Sequence, residues 1–197
     1  MQDFQQKLTH FFSSLWPAEE KVLVFGEGQH NQPAIMLIGE APGEQETLQR
    51  RPFVGKAGKN LDGFLEVVGL QRRELYISNV VKIRPTKVSD KGRVSNRPPS
   101  REELALFTPF LMEEILLVQP RLIVTLGNVP LRALMGAKAV IGSVHGEMQR
   151  VSVAHEKQSA DFALFPLYHP ASIIYNRSLQ EVYQADLTTL KAALADR

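Results

Sequence analysis

Four short apolar runs, each breaking off into a loop, limit this chain more than any other feature. They are AIMLIG (34–39), ELYISNVVKI (74–83), RLIVTLG (121–127) and ALFPLYHP (163–170). Runs of this length, apolar at consecutive positions, suit strands buried on both faces. Segments with helical spacing lie between them. Residues 58–70 carry Leu61, Phe64, Leu65 and Val68 on one face, with Gly69 near the C-cap. Ser100 and Glu103 form a capping box behind Pro98 and Pro99, opening a helix that runs to Val118 and stops at Pro120. NVPLRALMG is a short helix closed by Gly136, and residues 179–195 form a terminal one. Strands alternating with helices predict an α/β domain with a mostly parallel sheet.

Ligands of such sheets bind outside the carboxyl ends of the strands. The loops to watch are therefore GEAPG (39–43), the end of the second run, LGN (126–128) and YHP (168–170). The stretch from GEAPG to GKAGK (55–59) has neither the spacing of a triphosphate loop nor a GxGxxG pattern. Each loop alone also reads as a tight connection or a cap, so the functional case rests on the set.

The 197 residues suffice for one domain, 1–197, with a real core. Cysteine is absent, which excludes disulfides and any thiolate metal site, and no metal or other cofactor is expected. No apolar stretch approaches 18 residues, so no membrane span is expected. MQDFQQKLTHFF lacks a basic leader region and a cleavage signature, which points to the cytoplasm. A monomer is the expected state. The formal net charge of +2 is unevenly spread. Lys82, Arg84, Lys87, Lys91, Arg93, Arg97 and Arg101 face one acid, Asp90, and Arg50, Arg51, Lys56 and Lys59 face none. Basic runs often form solvated surface, but two of them flanking candidate ligand loops point to a polyanion. TKVSDKGRVS (86–95) is polar and aperiodic, and is expected to be an exposed, mobile loop.

Taken together, GEAPG (39–43), Glu46, PFVGKAGKNLD (52–62), YISNVVKIRP (76–85), NRPP (96–99), TLGN (125–128) and YHPAS (168–172) resemble the uracil-DNA glycosylase superfamily. The resemblance covers residues 20–190 and is strongest to the branch called family four. It implies a three-layer α/β/α sandwich around a central four-stranded parallel sheet. It also implies uracil-containing DNA as partner and hydrolysis of the N-glycosidic bond of a flipped nucleotide. By that resemblance Phe53 stacks on the base, although core packing is its other reading, and Asn79 reads the uracil edge unless it only forms a turn. His169 donates to uracil O2, backbone amides at Ala41 and Gly43 add donors, and Asn96 helps position water or substrate. Glu40 handles water, with Glu46 as a second contributor; other branches often carry Asp or Asn where Ala41 stands. Lys56, Lys82, Arg84 and Ser172 are candidates for DNA phosphates, and Ile173, Ile174 or Tyr175 either wedge into the gap left by the base or pack in a helix.

Family four normally carries a four-iron, four-sulfur cluster on four cysteines. The matching positions here are Ser13, Trp16, Ile83 and Phe107, so a hydrophobic plug is expected instead of an iron–sulfur cluster. Two other readings remain: a glycosylase for hypoxanthine, xanthine or another deaminated base, and a catalytically silent nucleic-acid-binding protein.

Overall fold

Every residue of the strand Ile35–Gly39 is buried, which sets it in the middle of a sheet rather than at an edge. The computed structural model describes residues 1–16, 21–176 and 178–195, with the side chains of residues 56, 57, 171, 174 and 175 set aside. Its helices are α1 (Gln2–Leu15), α2 (Glu44–Gln49), α3 (Lys56–Val68), α4 (Arg101–Val118), α5 (Asn128–Met135), α6 (Pro170–Tyr175) and α7 (Ser178–Ala195). The strands are β1 (Glu27–Gly28), β2 (Ile35–Gly39), β3 (Leu75–Asn79), β4 (Thr86–Val88), β5 (Val94–Asn96), β6 (Ile123–Leu126), β7 (Gln149–His155) and β8 (Gln158–Leu167).

The central sheet runs β1-β3-β2-β6-β8-β7. Its inner four strands are parallel, with Leu37 opposite Ile77 on one side and Val124 on the other, and Val124 opposite Phe165. The expected four-stranded parallel sheet is therefore the core of a six-stranded mixed one. Two antiparallel edge strands were not foreseen. β1 is two residues long, too short to show a period, and β7 buries only Val151 and Val153 within a polar segment.

Helices cover both faces because both faces of the inner strands are apolar. One core joins Phe4, Leu8 and Phe12 of α1 to Phe107, Leu111 and Ile115 of α4 over Met36 and Ile38. The other packs Leu61, Phe64 and Leu65 of α3 with Leu187 and Leu190 of α7 over Leu37 and Val124. The alternation of Met36 and Ile38 with Leu37 is the pleat itself. α4 opens on the expected capping box, with Ser100 Oγ accepting from the Glu103 amide and the Glu103 carboxylate accepting from the Ser100 amide. α3 ends at Gly69, whose φ of 75° no side chain adopts readily. Among the described residues no helix is long and apolar enough to cross a membrane.

At the positions matching the cluster cysteines, the residues do not fit an iron–sulfur cluster. None carries a thiolate, and the space is filled by rings. Phe12 stacks on Phe107 with centroids 4.4 Å apart and on Trp16 at 5.1 Å, while Ile83 and Phe107 are buried. Ser13 is the exception to the expected plug: it is exposed and its hydroxyl donates to the His10 carbonyl, so Phe12 supplies the inward group. Each stacked pair contributes about 0.5–1.5 kcal/mol beyond its burial. Phe12→Leu, which forfeits two such pairs, is expected to lower stability by roughly 1–3 kcal/mol, read as a lower urea midpoint at unchanged slope.

Candidate active site

β2 is the first strand of the parallel core, and the chain lays β3 on one side of it and β6 on the other. The crevice where strand order reverses therefore opens at the carboxyl ends of β2 and β6. GEAPG leaves β2 there, and the amides of Val80 and Val81 donate to the carbonyls of Gly39 and Glu40 at 3.0 Å each. This ties the start of the loop to the end of β3 and brings Asn79 beside it.

Gly39 shows why a glycine ends β2. A Cβ there would lie 2.4 Å from Asn79 Oδ1 and 2.6 Å from Phe53 Cζ. The Asn79 carboxamide and the Phe53 ring thus meet over one bare Cα. Phe53 is held with φ of 53°, an uncommon backbone for a phenylalanine. Its turn is clamped by Arg72, whose Nη1 donates to the Phe53 carbonyl at 3.1 Å and whose Nη2 donates to that of Pro52 at 2.6 Å. Arg72 is in turn paired with Glu27 at 2.9 Å. Nothing in QRREL singles out Arg72, since the clamp depends on backbone carbonyls nineteen and twenty residues away.

Glu46 lies in the first turn of α2 and is buried. Its carboxylate accepts from three backbone amides: Gly43 at 3.2 Å, Val54 at 3.2 Å and Gly55 at 2.8 Å. It staples the GEAPG loop to the Phe53 turn. Asn79 is 4% exposed, and its carbonyl accepts from Lys82 Nζ at 2.7 Å. Its carboxamide is not committed to another protein group among the described residues and opens onto the crevice.

Two adjoining compartments make up the crevice. One, of about 610 Å3, is lined by Phe53, Asn79 and Glu46, and includes Gly43 and Arg84. The other, of about 590 Å3, is lined by Glu40, Asn128, Tyr168 and Ser172. Ala41, Asn96 and His169 line both, so they mark the boundary. Glu40 is half-buried, and loss of solvent raises its carboxyl above the ordinary 4.5. His169 follows β8, and burial lowers its imidazole below the ordinary 6.5, favouring the neutral ring at neutral pH. Gly127, with φ of 85°, lets the β6 loop come close: a Cβ there would lie 3.3 Å from that of His169.

Of the residues offered for phosphate contact, Ser172 is exposed at the rim, and Arg84 is half-buried. Arg84 Nε donates to Asn96 Oδ1 at 2.7 Å, and its Nη1 pairs with Glu44 at 3.4 Å, so Arg84 orients Asn96. Lys82 requires a correction. It is fully buried and points away from solvent toward α4, with Nζ donating to Glu114 Oε2 at 2.5 Å, Ser78 Oγ at 2.6 Å and the Asn79 carbonyl. All three ammonium protons are used, so Lys82 cannot reach a phosphate. The backbone of Lys56 begins α3, but its side chain lies outside the described residues, as do those of Ile174 and Tyr175. Ile173 packs against the core on the α3–α7 face, in line with helix packing. The loop at 86–95 is also corrected: it is largely an antiparallel hairpin of β4 and β5, pairing Thr86 with Asn96 and Val88 with Val94. Gly92, at φ of 74°, closes the Ser89–Gly92 turn.

The comparisons agree with this geometry. The family model "Uracil DNA glycosylase superfamily" matches residues 25–193. A type-4 uracil-DNA glycosylase of Saccharolobus solfataricus is 36% identical over 188 residues, covering 93% of this chain and 81% of that protein. One from Thermotoga maritima is 35% identical over 173 residues, covering 86% and 82%. The crystal structure of wild-type SMUG2 from Pedobacter heparinus superimposes with a TM-score of 0.53 at 16% identity, over 83% of this chain and 76% of that one, a likeness of fold alone. Because the family model spans most of the chain and these relatives align over most of their own lengths, the chain belongs to the uracil-DNA glycosylase superfamily.

Proposed function

We propose that this protein is a monofunctional DNA-repair glycosylase that hydrolyses the N-glycosidic bond of uracil in DNA, acting on a flipped nucleotide and leaving an abasic site. The observation that carries the reading is the meeting, over Gly39, of the Phe53 ring and an Asn79 carboxamide uncommitted among the described residues, next to a compartment that holds Glu40. A planar base enters the Phe53–Asn79 compartment and stacks on the ring, an interaction worth about 1–3 kcal/mol per base. The fixed amide offers a donor to uracil O4 and an acceptor to N3–H. Cytosine presents the inverse pattern and leaves both groups unpaired.

The sugar then occupies the Glu40 compartment. As the bond breaks, the leaving base gathers negative charge on O2 and the sugar becomes positive. His169, at the boundary, donates to O2 as a neutral imidazole, and amides of the GEAPG turn add donors. Of the two acids offered for water, Glu46 has its carboxylate committed to three amides, so Glu40 takes that duty. Its raised proton affinity makes it a better base than an exposed carboxylate, and its charge offsets that of the sugar. No step requires a metal ion.

The test is base release from oligonucleotides carrying a single uracil, hypoxanthine, cytosine or thymine, followed by cleavage at abasic sites. Release from uracil alone is the expected result. Release from hypoxanthine but not uracil transfers the activity to another deaminated base. No release from any strand defeats the enzyme reading.

A further inference from the structure

The β4–β5 hairpin is unaccounted for by the crevice chemistry. It forms a two-stranded sheet of its own, outside the six-stranded one. Hairpins of two strands are marginal in water without something to pack against. Val88 and Val94 lie directly opposite each other, yet they are 68% and 51% exposed. Alternation puts Thr86, Val88, Val94 and Asn96 on one face. Arg93, Val94, Ser95 and Asn96 all line the crevice, so β5 forms an edge of the base compartment and Val94 carries the exposed valine pair outward from it. The segment also carries Lys87, Lys91 and Arg93 against a single acid, Asp90, all four exposed.

The geometry points to the hairpin as a substrate-gripping arm: Lys87 and Lys91 hold phosphates of the DNA strand, and the Val88–Val94 pair covers the nucleotide next to the extruded one. Three features fix the occupant as DNA rather than a protein. The arm is basic, it is continuous with the base compartment, and its apolar patch is two side chains wide, far below what a stable protein interface buries. A flanking base, once its neighbour has left the stack, exposes an apolar face of about that size. The inference rests on the DNA reading above, because a crevice for a free nucleotide needs no such arm.

The experiment measures binding of uracil-free oligonucleotides by fluorescence anisotropy from 50 to 200 mM salt, together with uracil release. Lys87→Ala/Lys91→Ala is expected to weaken binding about tenfold at the low-salt end. It should also flatten the log–log salt slope by roughly 1.4–1.8, two phosphates' worth. Val88→Ser/Val94→Ser should weaken binding with the slope unchanged. An unaltered affinity and slope in the lysine variant overturn the proposal. So does a valine variant that changes only sedimentation behaviour, since that would make the patch a self-association surface. Binding is read on DNA without uracil, so a wild type that binds but releases no base defeats the glycosylase reading and leaves the arm standing.

Discussion

His169→Ala is expected to slow single-turnover release of uracil by about 10²–10³-fold, the usual cost of removing one donor from an oxyanion site. The ring sits where both compartments of the crevice meet, and burial favours its neutral form, which donates without the proton transfer a charged ring invites. Glu40→Gln should cost about 10²–10⁴-fold, the range for a positioned general base. The two residues also set the pH profile, and the sign follows from their environments. Burial lifts Glu40 above 4.5, so the base is lost to protonation at a higher pH than for an exposed carboxylate. His169 is charged only below 6.5. The rate should therefore fall on the acid side as Glu40 and His169 take up protons, with the Glu40 part of the limb displaced upward from that of an exposed carboxylate. Glu40→Gln should shrink that acid limb to the contribution of His169. An acid limb unchanged in Glu40→Gln would show that another group handles water, and a wild-type rate in His169→Ala would remove the donor assignment.

Lys82→Met is expected to destabilise the fold by about 3–5 kcal/mol, the cost of leaving a buried charge without its partner. Lys82 and Glu114 are both fully buried. The Glu114 carboxylate also accepts from the Tyr76 hydroxyl at 2.9 Å and from Ser78 Oγ at 3.0 Å. Burial and the neighbouring Glu114 charge push Tyr76 far above its ordinary range, so the phenol remains a donor. Lys82→Met/Glu114→Leu should recover most of the loss, because an apolar pair of similar volume avoids the desolvation that the ions must offset. Urea unfolding of the three proteins decides the matter. A single variant within about 1 kcal/mol of wild type would mean that water reaches Glu114. The pair holds more than the fold, since Lys82 also anchors the carbonyl of Asn79. The double variant should therefore regain stability while its preference for uracil over cytosine falls.

Lys82 also marks the limit of the sequence reading. In VVKIRP it looks like one of seven cations in a basic stretch, and its partner lies 32 residues away on α4. Arg84, two residues on, faces the crevice. Glu46 is a similar case. Its position beside GEAPG suggested chemistry, whereas its carboxylate closes hydrogen bonds to a turn eight and nine residues further along. Ser13 was aligned with the plug, but the helix turns it to solvent and presents Phe12.

What the sequence by itself determined is what near neighbours encode. The apolar runs marked the four parallel strands, the Ser100–Glu103 box marked the start of α4, and Gly69 marked the end of α3. The loops at the carboxyl ends were legible because parallel sheets put their ligands there, and the family resemblance singled out Glu40, Phe53, Asn79 and His169 in and near them. Only the tertiary structure decided which polar groups face the crevice and which are consumed inside the protein. Periodicity records which face of an element is apolar, but the partner of a buried charge or a clamped carbonyl is set by how elements far apart in the chain are packed.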